Sequence, residues 1–421
     1  MPYTRRSRWE SARTSDRLKE PDWRRTLWLM VALYATVSIG RSAAFPFLPL
    51  FYVELGVRPV ENVALWAGAT ISVGFFVAAV FAPIWGTLAD RFGRKAMVLR
   101  SATALCISTA LVAFVHEPWE LLALRTVAGF FSGFSSAATA LVATQVPEEQ
   151  LGYSLGWLAT AQLGGSLLGP LIGGVLADSL HHNYRAVFVL TSAVTLVALL
   201  CCALFLHEHI DPEMKTARAR NRSSIVQQIR EVVAHPSLAP MFAVVLLAQI
   251  CALGVSPVVP LFVRSMVDER WVATAAGAAV AVTGVADVIA SPWLGKRSDT
   301  IGYRRVLLIC LAGAACFTLP QSLAANIWVF LALRFGVGLF LGGILPTANA
   351  WIGRMFPAEQ RGRVYGITSS ATLFGMAAGP LVGSGIMAHF GFHAVFVVIG
   401  SLMLLNLLWV VTSVRMEPAP G

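Results

Sequence analysis

The chain has 421 residues, of which 57% are hydrophobic and only 13% are charged, and its mean hydropathy is +0.69. Soluble domains carry about 25% charged residues, so this composition excludes a water-soluble enzyme and indicates a polytopic membrane protein. The net charge of +10 does not require nucleic-acid binding, because most of the Lys and Arg residues fall in loops on one predicted side of the membrane.

Twelve apolar runs are long enough to cross a membrane as helices, because about 20 apolar residues span the roughly 30 Å of hydrocarbon in a bilayer. We number these predicted spans 1 to 12 in chain order. They cover residues 26–54, 64–88, 96–115, 119–145, 152–178, 185–206, 238–264, 271–294, 305–324, 327–353, 363–388 and 391–414. The sequence therefore predicts an all-α membrane protein. The tail before span 1 has no apolar core and is not expected to be a signal peptide.

The positive charges predict which side of the membrane each loop occupies. Of the 32 Lys and Arg residues, 25 lie in the two tails and in the loops that share a side with them, the loop 91–100 included. Cytoplasmic loops of membrane proteins carry an excess of Lys and Arg. We therefore expect both termini in the cytoplasm, and the Ala-, Gly- and Arg-rich composition suggests a bacterial inner membrane.

The second half of the chain repeats the first at an offset of 209 to 211 residues. The matched blocks include the Pro-x-x-Pro-Leu-Phe motifs at 46–51 and 257–262, and the Leu-Ala-Leu-Arg motifs at 122–125 and 331–334. The predicted domains are a cytoplasmic tail (1–25), a six-helix bundle (26–206), a cytoplasmic linker (207–237), a second six-helix bundle (238–414) and a cytoplasmic tail (415–421). Because six is even, both bundles have the same orientation, as in transporters that bind substrate between two repeats near the bilayer midplane.

The loop between spans 2 and 3 carries a segment with a familiar pattern, Gly-Thr-Leu-Ala-Asp-Arg-Phe-Gly-Arg-Lys at 86–95. It resembles the loop signature of the major facilitator superfamily. Over about residues 25–415 the chain resembles the twelve-span drug:proton antiporter branch, which implies the major facilitator fold of two pseudo-symmetric bundles. The resemblance also implies a cytoplasmic gate formed by Gly86, Asp90, Arg91, Gly93, Arg94 and Lys95, with Asp299 in a degraded second copy. The alternative is that these charges only set topology and cap one helix.

A glycine-rich motif in span 5 resembles the motif that marks antiporters within this superfamily. Its residues are Gly165, Gly169, Pro170, Gly173 and Gly174, and span 11 repeats it with Gly379 and Pro380. Glycines at i, i+4 and i+8 permit close contact between helix backbones, and a proline inside a helix removes one hydrogen bond and bends it. Ordinary small-residue packing explains the glycines but not the repeated Gly-Pro pair.

Four ionisable residues fall inside predicted spans, where a charge is costly unless it faces the bundle interior or water. Arg125 resembles the family's span-4 arginine, which implies a role in proton coupling, and Arg334 is its repeat partner. Asp287 is the best candidate for a proton carrier, and the alternative is a static ion pair with a buried arginine. Arg41 lies in span 1 of the half where several cation-exporting relatives carry an acid, so neutral or anionic substrates fit equally well.

Aromatic and amide side chains are the candidates for a substrate cavity, because apolar pockets with a few polar groups accept varied amphipathic ligands. The predicted lining consists of Tyr34, Arg41, Phe45, Gln145, Trp157, Gln162, Gln249, Phe262, Asn349 and Phe374.

Other classes of function lack their motifs. No Walker loop is present for an ATP-driven pump, no nucleophile and base cluster as in an enzyme, and the isolated histidine pairs do not form a metal site. We expect a monomer without cofactor or metal that exports small amphipathic compounds in exchange for protons. A dedicated exporter of one metabolite or a proton-coupled importer remains the alternative, and a transporter-like sensor is less favoured.

Overall fold

The computed structural model describes residues 23–43, 46–147, 150–206, 238–355 and 358–413. Within these ranges, ten helices are long and apolar enough to cross a membrane, and Trp23–Ala43 with Leu48–Glu54 forms an eleventh span bent by 50°. The longest helix, Ala358–Ser413, turns at Gly391 and so supplies two spans. The described part of the chain therefore contains the twelve spans that hydropathy predicts.

The helices match the predicted spans closely. Span 1 consists of Trp23–Ala43 and Leu48–Glu54, span 2 of Val60–Phe92, span 3 of Arg94–Val112, span 4 of Pro118–Phe130 and Phe134–Gln145, span 5 of Leu151–Ser179, span 6 of Tyr184–Phe205, span 7 of Leu238–Gly254 and Val259–Arg264, span 8 of Val272–Ile301, span 9 of Tyr303–Thr318, span 10 of Ile327–Met355, and spans 11 and 12 of the two parts of Ala358–Ser413. Short 3-10 helices, Glu269–Trp271 and Leu319–Leu323, lie before span 8 and after span 9.

One boundary differs from the hydropathy prediction in an informative way. Span 8 continues to Ile301, past the predicted end at residue 294, because its last turns are polar but remain helical. Arg100, which is counted above with the charges of the loop 91–100 although it also falls in predicted span 3, lies inside the helix Arg94–Val112. The tail up to residue 22, the linker 207–237 and the tail from residue 414 lie outside the described residues.

Three of the described spans are interrupted between two helical segments. Spans 1 and 7 each resume at a short helix with a proline in its first turn, Pro49 and Pro260 respectively, where a missing N–H is tolerated. Span 4 breaks at residues 131–133, and Gly133 has a φ of +106°, a conformation that glycine adopts readily. Span 10, its repeat partner, is one continuous helix.

The two ends of the bundle pack differently. We call the end with residues 23, 93, 206, 302 and 413 the basic face, and the end with residues 56, 115, 182, 267 and 325 the opposite face. One apolar cluster at the opposite face contains residues of both halves, Phe51, Ala177, Phe262 and Ala273 among them. The clusters toward the basic face each contain residues of one half, as for Leu27 to Leu206 in the first half. The halves are therefore joined at the opposite face in this conformation.

Candidate functional site

The glycines of the span-5 motif pack against the backbone of span 1. A methyl group added at Gly165 would lie 2.5 Å from Cβ of Ser38, and one added at Gly169 would lie 2.9 Å from the carbonyl oxygen of Ile39. In the second half, a methyl group added at Gly379 would lie 2.9 Å from the carbonyl oxygen of Ile250 in span 7. The motif therefore sets the spacing between spans 1 and 5, and its repeat sets the spacing between spans 7 and 11.

The same motif also forms the contact between the two halves. The carbonyl group of Pro170 in span 5 faces Gly277 in span 8, and the carbonyl oxygen of Pro380 in span 11 faces Gly68 in span 2. Gly174 adds to the contact between spans 5 and 8, since it packs directly on the backbone of residues 273–274. The repeated Gly-Pro pair thus has a symmetric structural role that ordinary helix packing within one half does not explain.

The two repeat arginines lie in matching positions inside their own halves. Arg125 lines a small cavity between spans 1, 3, 4 and 6, beside Gly40 and Phe188. Arg334 lines its counterpart between spans 7, 8, 9, 10 and 12, and its Nε donates a hydrogen bond to the carbonyl oxygen of Ala279 at 3.4 Å. Nε of Arg125 is buried without a hydrogen-bond partner in the described structure.

Asp287 lies on the face of span 8 that packs against span 10. Thr283 and Ala286 contact Gly338, and the carboxylate of Asp287 lies over Gly342, where an added methyl group would be 2.6 Å from Oδ1. The residue is exposed, and the described residues include no ion-pair partner within 4.0 Å of it. Because charges in lipid are so costly, we expect this surface to face the interior of the bundle.

Arg41 lies in the last turn of the first segment of span 1. A cation is favoured at this end of a helix, where the unpaired carbonyl groups carry partial negative charge. The residue is exposed, and its charge lies close enough to interact electrostatically with both Tyr34 and Arg125. Two arginines thus lie near each other inside the first half, whereas the second half has Asp287 as well as Arg334.

At the basic face, the predicted gate residues contact their own half. Gly93 has a φ of +90° and makes the turn between spans 2 and 3. Arg94 donates to the carbonyl oxygen of Ala140, and Lys95 donates to the carbonyl oxygens of Ala203, at 3.2 Å, and Leu206. The side chains of Asp90 and Arg91 lie outside the described part of the structure.

Gly86 allows a neighbouring helix to approach closely, but among the described atoms nothing lies within 4 Å of the place where its Cβ would stand. In the second copy, Oδ1 of Asp299 accepts a hydrogen bond from the hydroxyl of Tyr303 at 2.5 Å and lies 3.6 Å from Arg354. These contacts also stay within one half.

The predicted cavity residues divide into several groups. Tyr34 is buried and donates a hydrogen bond to Gln162 at 2.8 Å, so this pair joins spans 1 and 5. Trp157 packs against Trp28 in a tilted arrangement, with ring centroids 4.9 Å apart and an angle of 59° between the ring planes. Phe262 lies in the closed apolar cluster of the opposite face rather than in the cavity.

The remaining predicted cavity residues differ in how deeply they are buried. Gln249 is buried beside Gly375, Gln145 and Asn349 are half-buried, and Phe374 is exposed, whereas Phe45 lies outside the described residues.

Comparison with known proteins agrees with this architecture. The family model described as "Major Facilitator Superfamily" matches residues 30–273 and 265–421. The chain belongs to this superfamily. Among curated members, it is 34% identical over 396 residues to the Multidrug resistance protein MdtG of Dickeya zeae, covering 94% of this chain and 95% of the relative. It is 35% identical over 402 residues to MdtG of Salmonella dublin, covering 94% and 96%.

Solved structures of superfamily members share the fold at low sequence identity. The nucleoside transporter NupG matches with a TM-score of 0.75 and 10% identity, covering 93% of this chain and 100% of that one. The D-xylose-proton symporter matches with a TM-score of 0.73 and 16% identity, covering 93% and 96%. The protein is therefore a multi-pass membrane transporter that acts on small molecules.

A polar cluster that the sequence did not predict lies at the break of span 4. Nη2 of Arg100 donates to the carbonyl oxygen of Ser132 at 2.8 Å, and its guanidinium lies 3.3 Å from the ring centroid of Trp85. The indole N–H of Trp85 in turn donates to the carbonyl oxygen of Phe130 at 2.5 Å. These bonds satisfy carbonyl groups that the break leaves without helical partners, which the bilayer core requires. Arg100 follows Arg91, Arg94 and Lys95 closely in the chain, so the sequence does not distinguish it from these loop charges.

Proposed function

We propose that the protein exports small amphipathic compounds across a bacterial inner membrane in exchange for protons. Under this proposal the basic face is cytoplasmic, in keeping with the excess of Lys and Arg on that side, and both termini lie there. The name Multidrug resistance protein, which its relatives carry over nearly their whole length, supports export of varied compounds. Small molecules, protons and the lipid bilayer are then its partners, and it needs no second subunit or cofactor.

The observation that carries the proposal is the exposed carboxylate of Asp287 within the membrane, next to Gly342. A carboxylate in this position can bind either a proton or a cationic or hydrogen-bond-donating group of a substrate. Binding of substrate from the cytoplasm then favours loss of the proton, and protonation from the other side favours release of substrate. This competition produces exchange without any covalent chemistry.

Alternating access supplies the movement. In the present conformation apolar contacts between the halves close the opposite face, whereas the apolar clusters of the described residues toward the basic face each stay within one half. We assign the substrate cavity to the space between the halves on the basic side. Export requires the reverse conformation, in which the contacts of Gly174 and Gly277 separate. Because Gly174 and Gly277 have no side chains, the helix surfaces at these contacts are flat and can separate and pack together again.

Charge on both sides of the cavity bears on the substrate class. Arg41 in the first half and Asp287 in the second are exposed charged residues within spans, and we assign both to the cavity. A cation alone would be repelled by Arg41 and attracted by Asp287, so the cavity fits neutral, anionic and zwitterionic compounds as well as cations. A dedicated exporter of one metabolite, or a proton-coupled importer, is the alternative.

The test uses inside-out vesicles in which respiration maintains a pH gradient that a fluorescent probe follows. A panel of amphipathic cations, anions and neutral compounds is added to the wild type, to Asp287→Asn and to Asp268→Asn. Asp268 is the matched control, because it is an exposed acid in a loop of the opposite face. We expect some compounds to release protons in the wild type and the control but not in Asp287→Asn. An equal response of all three would show that another group carries the proton. If no compound in the panel releases protons, the drug-export proposal is wrong.

A further inference from the structure

A buried carboxylate at the opposite face bonds across the boundary between the two halves. Asp178 lies in the last turn of span 5, and its side chain is only 5% exposed. Oδ2 accepts a hydrogen bond from the backbone N–H of Thr274 at 2.7 Å, and Oδ1 accepts one from the N–H of Ala273 at 3.3 Å. Both donors belong to the first turn of span 8, in the second half.

The contact is electrostatically favourable because the first N–H groups of a helix have no helical acceptors and carry partial positive charge. Span 8 has no side-chain cap of its own, since Trp271 stands at its N-cap position. Asp178 therefore caps a helix of the other half. Charged acceptors form hydrogen bonds roughly twice as strong as neutral ones.

This contact exists only while the opposite face is closed. Gly174 lies one turn earlier in span 5, and its close packing on residues 273–274 brings the two backbones within reach of the carboxylate. When the halves separate at this face, the two N–H groups and the carboxylate part and must bind water instead. The sequence gives Asp178 no repeat partner, because the matching position of the second half is Ala388.

We call the contacts between the two halves at the opposite face the outer gate. We propose that Asp178 is a gating residue that holds the outer gate closed through the N-terminus of span 8, and that its negative charge is required for this. It positions the two halves and does not touch substrate. The inference rests on the alternating access of the proposed function, but not on the identity of the substrate or on proton coupling.

The other ion pairs that the described residues form near the opposite face lie within one half. Glu54 and Arg185 pair within the first half at 3.5 Å, and Arg264 and Glu269 pair within the second at 3.0 Å. Tyr184 also lies close enough to interact with the charge of Asp178.

His182 is the neighbour that could explain Asp178 without any gating role. Its Nδ1 lies 3.2 Å from Oδ1 of Asp178, in the same half. If Asp178 served only to order this loop histidine, replacing either residue would have the same effect. The experiment must therefore compare the two replacements directly.

The measurement is the distance distribution between two spin labels across the outer gate, obtained by pulsed electron paramagnetic resonance on the full chain. The labels replace Asn62 in the first half and Arg270 in the second, which are both exposed at the opposite face, in a chain whose native cysteines have been replaced. The protein is purified without substrate or pH gradient, so failure of the proton-exchange proposal would leave this result interpretable.

We expect Asp178→Asn to raise the ratio of long to short distances about tenfold relative to the unsubstituted chain, because a charged acceptor of two hydrogen bonds is lost. His182→Gln keeps both bonds to span 8 and is expected to leave the distribution unchanged. An unchanged distribution in Asp178→Asn, even with a lowered melting temperature, would reduce Asp178 to a structural residue and overturn the proposal. An equal shift in His182→Gln would also overturn it.

Discussion

Replacing three glycines of span 5 by alanine, one at a time, should have three different effects. At Gly174 the added methyl group would lie 2.9 Å from the carbonyl carbon of Ala273 and 3.0 Å from Cα of Thr274, both in the other half. Favourable carbon–carbon contacts are about 3.5–4.0 Å long. The backbone of span 8 cannot yield as a flexible side chain would, so the halves must move apart at the opposite face.

The magnitude follows from the usual cost of overpacking, which is about 1–3 kcal/mol. Only the conformation closed at the opposite face contains this clash, so the cost appears as a shift in population of roughly 5- to 150-fold toward the open outer gate. Gly174→Ala should therefore change the distance distribution across the outer gate while the melting temperature of each half changes little.

The other two glycines separate this effect from general damage. Gly165→Ala would place its methyl group 2.5 Å from Cβ of Ser38 within the same half, so it should lower the melting temperature without favouring either conformation. Gly164→Ala meets nothing within 4 Å and should change neither property. If Gly174→Ala leaves the distance distribution equal to that of Gly164→Ala, the closed interface described here is not part of the transport cycle.

Two further substitutions test the site itself. Gly342→Ala would place a methyl group 2.6 Å from Oδ1 of Asp287, so proton release in vesicles should fall about tenfold or more through misplacement of the carboxylate. Gly385→Ala, which meets nothing within 4 Å, is its control, and equal activity of the two would contradict the assignment. Arg100→Met removes the donor to Ser132 and should destabilise the first half by about 1–3 kcal/mol. An unchanged melting temperature in detergent would refute that role.

Hydropathy predicts most of the fold because each span must be about 20 apolar residues long to satisfy its backbone in lipid. The predicted limits of span 7, residues 238–264, agree with the helices Leu238–Gly254 and Val259–Arg264. The close packing at Gly165 and Gly169 was also predictable, because small residues at helical spacing permit backbone contact. Local sequence is sufficient for these features.

The features that sequence could not predict depend on the position of one half relative to the other. Nothing near Asp178 indicates that it caps a helix that begins 94 positions later in the chain, at residue 272. Likewise, the cost of a buried charge predicted that Arg125 and Arg334 face the interior, but not that each lies in a cavity of its own half. The break in span 4 could not be predicted from Gly133, because the matching Gly342 of span 10 lies inside a continuous helix.

Export of amphipathic compounds driven by protons is tested most directly with the purified protein in liposomes. The protein is oriented with its basic face outward, the lumen is made acidic, and a fluorescent amphipathic dye is added outside at a concentration equal to that inside. We expect dye to accumulate in the lumen above the outside concentration, and we expect nigericin, which collapses the pH gradient, to abolish the accumulation. Movement of dye that stops at equal concentrations, with or without the gradient, would contradict proton-driven export.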